Sequence, residues 1–371
     1  MKAQTLPQNL MPAWSAESTT LQAVERALVE LWRESDGMGD RIHEVRTRVM
    51  NLITCVSEPG RVDQVLSTIA ELPGHHASRS ILLVLNPDEA QEAPLKMDAR
   101  IFSFCSTAAG TSNLVCHEQI LLTVSGRVDN LASIAVPLLA PELPEFLWWV
   151  GSPPFESEPF LSLAENCDCL VVDSGKFLSP LEDLGKLIRL QSNPNLAFAL
   201  RDFNWGRLTR WRELLAQFFD PPVPRSHLPH LERANIEYAT GKAGAADNPL
   251  LAYLMAGWLS SRLGWNGMDF SGRVAVSATV RTDLAPGDLV SVRLDSRSPE
   301  GPGAFSITRE EDPTLAILQA DVPNYPRWQR KTSLETPEEK NLLELELKSV
   351  DPDEVFEEAL AAAFRLSRES E

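Results

Sequence analysis

Short, continuous apolar runs alternate with helical patterns through the first 220 residues, and that alternation restricts the fold more than anything else in the chain. SILLVL at 80–85, EFLWWV at 145–150 and DCLVVD at 168–173 have strand length, with apolar residues at adjacent positions. Adjacent strand residues point to opposite faces, so such runs suit strands buried on both sides, as in a parallel sheet. Between them, apolar residues recur three and four apart: Leu21, Val24, Leu28, Leu31 and Trp32, then Val62, Val65, Leu66 and Ile69. Further strands are expected near 47–56, 98–105, 119–124 and 196–201, and further helices near 128–139, 180–191 and 208–219. The sequence thus predicts an α/β domain over 18–220, its sheet mixed but largely parallel with helices on its faces, after a flexible N-terminus at 1–17.

The pattern changes at Asp220-Pro221-Pro222-Val223-Pro224, where three prolines stop the preceding helix and stiffen the link. A smaller α+β domain is expected over 221–332. A strand near 231–239 precedes a helix near 248–263, with Pro249 in its first turn. Strands near 273–281, 288–295, 303–309 and 314–321 follow, joined by turns such as Pro286-Gly287, and read as an antiparallel sheet with one helix on a face. Residues 333–371 read as two acidic helices packed on this second domain. Thr336-Pro337-Glu338-Glu339 and Asp351-Pro352-Asp353-Glu354 each offer a cap, a proline at the first helical position and a Glu three residues on. Val355, Phe356, Leu360 and Phe364 give the last helix an apolar stripe.

Charge and composition exclude several functions. The net charge of −18 would repel phosphates, which argues against nucleic acid as a partner. No apolar run approaches the roughly 20 residues of a spanning helix, and the first residues lack the apolar core of a signal peptide, so a cytoplasmic protein without a membrane partner is expected. Cys55, Cys105, Cys116, Cys167 and Cys169 are odd in number and lie in apolar segments, which suits reduced core thiols. Cys167 and Cys169, one residue apart, fit neither a zinc knuckle nor a CxxC pair.

No phosphate loop, dinucleotide fingerprint, nucleophile elbow or zinc-protease motif occurs, and no cofactor or metal is expected. Gly175-Lys176 in VVDSGKF lacks the rest of a phosphate loop and reads as a strand end and turn. His227 and His230 have HxxH spacing but no neighbouring Cys, and His75-His76 reads as a loop pair.

Two stretches stand out. In LPEFLWWVGSPP, 143–154, Trp148 and Trp149 point to opposite faces of one strand and read either as two core residues or as one packed against helices with the other near the strand's C-terminal edge, where α/β folds bind ligands and partners. RDFNWGRLTRWRELLAQFFD, 201–220, sets two Trp and four Arg at the mouth of an amphipathic helix. Leu208, Trp211, Leu215, Phe218 and Phe219 share one face of it. Asp202, Asn204 and Trp205 fall in the preceding strand-to-helix loop, with Asn204 or Thr209 available to cap. Arg207, Arg210 and Arg212 lie off the apolar stripe, where each reads alone as solvated or paired with Asp202 or Glu213 for structure, and as a set they offer a binding surface. Trp and Arg together typify protein-binding hot spots. Trp148, Trp149, Asp202, Asn204, Trp205, Arg207, Arg210 and Arg212 are therefore the candidate partner-binding residues. The same sheet edge could instead hold a sugar phosphate or nucleotide, as in a metabolite sensor or an unfamiliar enzyme.

These two stretches resemble the glucose-6-phosphate dehydrogenase assembly protein (OpcA) family, particularly its cyanobacterial members. The D-x-N-W…R-L-T-x-W-R-E-L core of the second is the more specific. The resemblance implies a non-catalytic accessory protein that binds glucose-6-phosphate dehydrogenase, promotes its active oligomer and supports NADPH production in the oxidative pentose phosphate pathway. It also implies a response to thiol redox state in cyanobacterial members, yet no cysteine follows Cys169 here, which excludes a thiol switch in the C-terminal half. Arg210 stands where the resemblance leads us to expect a proline.

Overall fold

The apolar runs become strands of a nine-stranded sheet in the computed structural model, which describes residues 12–36, 44–45, 49–72, 78–85, 93–107, 114–242, 247–265 and 270–369. The strands are β1 (Trp14–Ala16), β2 (Glu44–Val45), β3 (Met50–Val56), β4 (Ser78–Leu85), β5 (Lys96–Thr107), β6 (Leu114–Ser125), β7 (Glu145–Val150), β8 (Cys169–Val172) and β9 (Ala199–Asp202). Their order is β1-β5-β6-β4-β3-β7-β8-β9, with β2 paired to β6. β6, β4, β3, β7 and β8 run parallel, while β5 is antiparallel to both β1 and β6. The mixed, largely parallel α/β sheet is as expected. Every residue of β3 is buried, which is why its apolar run is continuous rather than alternating. Its one amide, Asn51, donates to the Ala140 carbonyl and accepts from the Ala140 N–H at 2.8 and 2.9 Å, so this fully buried side chain has both its oxygen and its nitrogen paired.

Several local expectations differ. Trp14–Ala16 pairs with β5, so ordered structure begins within the stretch expected to be flexible; residues 1–11 lie outside the described residues. The helix expected near 128–139 is a short Ala132–Ala135 turn followed by a Val136–Leu138 3-10 turn, because Pro137 cannot continue the backbone ladder. A helix at Glu158–Ala164, capped by Ser157, was not anticipated.

The second sheet has six strands in the order β11-β10-β12-β13-β14-β15: β10 (Leu231–Thr240), β11 (Val274–Val280), β12 (Leu289–Ser298), β13 (Gly301–Arg309), β14 (Leu315–Asp321) and β15 (Trp328–Ser333). It is antiparallel except for β10 and β11, which run parallel. Parallel neighbours need a crossover, and the Leu250–Leu263 helix lies within it. That helix is apolar almost all round because it is covered almost all round, packing on β10, β11 and the Glu354–Glu369 helix.

The chain divides into two compact units: Met1–Val172, Asn193–Arg201 and Glu339–Asp351 in the first, and Asp173–Ser192, Asp202–Glu338 and Pro352–Glu371 in the second. The division does not fall at the proline-rich turn. Phe218 and Phe219 at the end of the Thr209–Gln217 helix pack on Phe305 of β13, with ring centroids 5.7 and 4.8 Å away, so the apolar stripe of 208–219 is core to the second unit. Nor do the two C-terminal helices share one unit. The Glu339–Glu346 helix belongs to the first, where Arg61 pairs with Glu339 at 2.7 Å and Lys340 with Glu71 at 3.2 Å. The Glu354–Glu369 helix belongs to the second.

Candidate functional site

Two short segments distant in sequence, 173–176 and 202–207, meet within the second unit and form a closed, buried polar network. Asp173 caps the Ser174–Lys176 turn by accepting from the Gly175 N–H at 3.1 Å. Both its carboxylate oxygens also accept from Arg207, at 2.6 and 2.9 Å, in the bidentate fork that guanidinium and carboxylate geometry favour. Arg207 donates further to Asn204 Oδ1 at 2.8 Å, and Asn204 Nδ2 donates to Ser174 Oγ at 2.9 Å. Ser174 Oγ in turn donates to Asp202 Oδ2 at 2.5 Å. Asp202 Oδ1 accepts from the backbone N–H of Ser174 and of Asn204 at 2.9 and 3.0 Å. The Ser174 carbonyl accepts from Asn248 Nδ2 at 2.8 Å. Asp173, Ser174, Asp202 and Asn204 are buried, and each bonds within the ring. A Cβ on Gly175 would come within 3.0 Å of Asn204 Oδ1 and of Asp173 Oδ1, so glycine lets the turn lie against the network.

Electrostatics set the protonation of this ring. Burial pushes the Asp202 carboxyl up to about 6, against the lowering effect of its Ser174 and Asn204 hydrogen bonds. Burial also opposes the Arg207 charge, but its bonds to Asp173 more than offset this and raise its pKa. Because the folded pKa of Asp202 exceeds the unfolded value of about 3.9, its stabilising contribution is full below about pH 3.9 and is lost as pH rises through about 6. The stability advantage of the wild type over Asp202→Asn should therefore shrink by on the order of 2–3 kcal/mol between pH 4 and pH 7. Urea titrations at the two pH values measure it; an unchanged difference would contradict the assignment.

The remaining candidates fall into place around the ring. Asp202 caps a Phe203–Arg207 helix, so Asn204 and Trp205 are helical rather than in a loop, and neither Asn204 nor Thr209 provides that cap. Trp205 is buried, donates its indole N–H to Asp353 Oδ2 at 2.9 Å and lies 5.4 Å from the Phe356 ring. Asp353 Oδ1 accepts from the Phe356 N–H at 3.0 Å, so Asp353, not Asp351, caps the last helix. The Arg212 guanidinium sits 3.5 Å over the Trp205 ring and donates to the Trp205 carbonyl and Thr209 Oγ1. Arg210 is the most open, its side chain 39% exposed and paired with Glu213 at 3.1 Å.

Trp148 and Trp149 do not divide between core and sheet edge: both are buried in β7, and Trp149 meets Phe160 edge-on at 5.2 Å. β7 lies inside the sheet between β3 and β8, and its consecutive residues Phe146–Val150, which point to alternate faces, are all buried, so both of its faces are covered. His227 is also buried, within 2.8 Å of Ser296 Oγ and 3.4 Å of Ser298 Oγ, and burial lowers its pKa. Cys55, Cys167 and Cys169 are buried free thiols; burial raises all three, Cys169 to about 12. His43, His75 and His76 lie outside the described residues, as do the side chains of Trp32, Cys105, Cys116 and His117. Among the described residues no group of three or more His, Cys, Asp or Glu could hold a metal ion, and no helix is long and apolar enough to cross a membrane.

Sequence reasoning found the 202–212 half of the network and missed Asp173, Ser174 and Asn248. The Gly175-Lys176 turn was visible, but nothing in the sequence ties it to a segment some thirty residues away.

Most of the chain matches two known domain families. Residues 70–189 match the family described as glucose-6-phosphate dehydrogenase subunit N-terminal domain, and residues 198–360 match the corresponding C-terminal domain. The gap between the two matches lies close to the division of the compact units and well before the proline-rich turn. Three curated relatives carry the provisional name OxPP cycle protein OpcA. The chain is 26% identical to that of Synechococcus elongatus, over 73% of this chain and 64% of the relative. It is 28% identical to that of Synechocystis sp., over 71% and 59%, and 28% identical to that of Nostoc punctiforme, over 75% and 63%. The matched part thus spans less than two thirds of each relative's length. With both domain families matched in order along it, the chain belongs to the OpcA family of glucose-6-phosphate dehydrogenase assembly proteins.

Proposed function

We propose that this protein is a non-catalytic assembly factor and allosteric activator of glucose-6-phosphate dehydrogenase, supporting NADPH production in the oxidative pentose phosphate pathway from the cytoplasm. The observation that carries the reading is the ordered match to both domains of the dehydrogenase-assembly family. The candidate site is in keeping with it. Of the arginines that could hold a sugar phosphate here, Arg207 is committed to Asp173, Arg212 to Trp205 and Arg210 to Glu213. An activator must bind the active state of its target more tightly than the inactive one; equal affinity shifts nothing. A differential of about 1–3 kcal/mol gives the 5- to 150-fold effects usual for allosteric coupling.

Calorimetry separates this reading from that of a metabolite sensor. Titration of the dehydrogenase into the protein should give saturable heat, and titration of glucose 6-phosphate alone should give none. Heat from the sugar phosphate without heat from the dehydrogenase would overturn the proposal.

A further inference from the structure

The buried ring ends in an exposed loop, and that loop carries the most exposed large apolar side chain among the described residues. Leu178 is 88% exposed, against 52% for Val280, the next highest. A single exposed leucine is ordinary. What distinguishes Leu178 is how firmly the backbone on both sides of it is held. On one side the Lys176 N–H donates to the Asp173 carbonyl at 2.9 Å, the Phe177 N–H donates to the Ser174 carbonyl at 3.3 Å, and the Phe177 ring is buried. On the other, the Ser179 N–H donates to Asp183 Oδ2 at 3.1 Å, and Pro180 starts the Pro180–Gln191 helix. Ser174, one turn below, is gripped by Asp202, Asn204 and Asn248. The chain therefore holds one leucine out in water on a backbone that needs no further ordering, which is how preorganisation favours association. Exposed Lys176 stands two residues away.

Resting on the activator reading above, we propose that loop 175–179 is the contact through which this protein engages glucose-6-phosphate dehydrogenase, with Leu178 entering an apolar pocket of the enzyme and Lys176 meeting a carboxylate at its rim. The polar ring that carries the family's D-x-N-W…R pattern is then the support of the interface rather than its surface. A second copy of this chain is a poor occupant, because two bodies of charge −18 repel and one leucine offers little apolar area to overcome that. A different protein presenting a pocket and an acidic rim suits both side chains.

The test uses the full-length protein and its Leu178→Asp, Leu178→Ala and Lys176→Glu variants in binding titrations with the dehydrogenase. Because Leu178 is exposed, all four proteins should melt at the same temperature. Leu178→Asp is expected to weaken the complex about 30-fold or more, as loss of a hot-spot anchor does, with Leu178→Ala intermediate. Lys176→Glu should chiefly slow association, and the deficit should grow at low salt. Equal affinity of wild type and Leu178→Asp would overturn the loop assignment while leaving the activator reading in place. Failure of the wild type to bind the dehydrogenase at all would overturn both. A wild-type dimer abolished by Leu178→Asp would make a second copy the occupant and refute the proposed one.

Discussion

Replacing Arg207 with alanine is expected to lower the free energy of unfolding by about 3–5 kcal/mol, the usual consequence of removing one partner from a buried ion pair. Arg207 holds both oxygens of Asp173 and the Asn204 carbonyl oxygen. Its loss leaves a buried carboxylate without its counter-charge and an amide without its acceptor role filled. Arg207→Lys should recover only part of the loss, because an ammonium cannot reproduce the planar, two-bonded grip. The exposed Arg210–Glu213 pair is the control: Arg210→Ala should cost about 0–1 kcal/mol. Urea unfolding of the three variants decides the matter, and similar losses for Arg207→Ala and Arg210→Ala would show that the ring is not a structural lock.

Gly257→Ala is expected to destabilise the protein by about 3 kcal/mol, although the same change in an exposed helix would stabilise it by about 1 kcal/mol. The reason is the contact between the Leu250–Leu263 and Glu354–Glu369 helices. A Cβ at position 257 would lie 2.1 Å from the Ala359 carbonyl oxygen and 2.8 Å from the Ala363 nitrogen. Both are backbone atoms, so no side chain can turn aside and the helices must separate. Ala359, Ala362 and Ala363 are fully buried along the last helix, as so close a crossing requires. A thermal melt compares the variant with wild type; equal or higher stability for Gly257→Ala would refute the close packing.

The architecture was largely visible in the chain because buried parallel strands leave continuous apolar runs such as those of β3, β4 and β7, whose short length sets them apart from a buried helix such as Leu250–Leu263. Strand pairing was less legible. The parallel partnership of β10 and β11 depends on where the Leu250–Leu263 helix packs, and the strands themselves carry no mark of direction. The break at Pro221 correctly marked the end of a helix but not a division between units, since Phe218 and Phe219 seek Phe305 on the far side of the prolines. The candidate site was legible by composition and misread by exposure. Trp205, Arg207 and Arg212 have the chemistry of a contact surface, yet the same planes and donors serve equally well inside, where Asp173 and Asp353 are waiting. Leu178 was invisible beforehand because a leucine in a turn gives no sign of which way it faces.

The most direct test of the central claim adds the purified protein to glucose-6-phosphate dehydrogenase from the same organism and follows NADPH formation across a range of glucose 6-phosphate concentrations, with light scattering on the same mixtures. The account predicts a lowered KM or a raised rate, accompanied by a larger complex. No kinetic change and no complex, under both reducing and oxidising conditions, would contradict it.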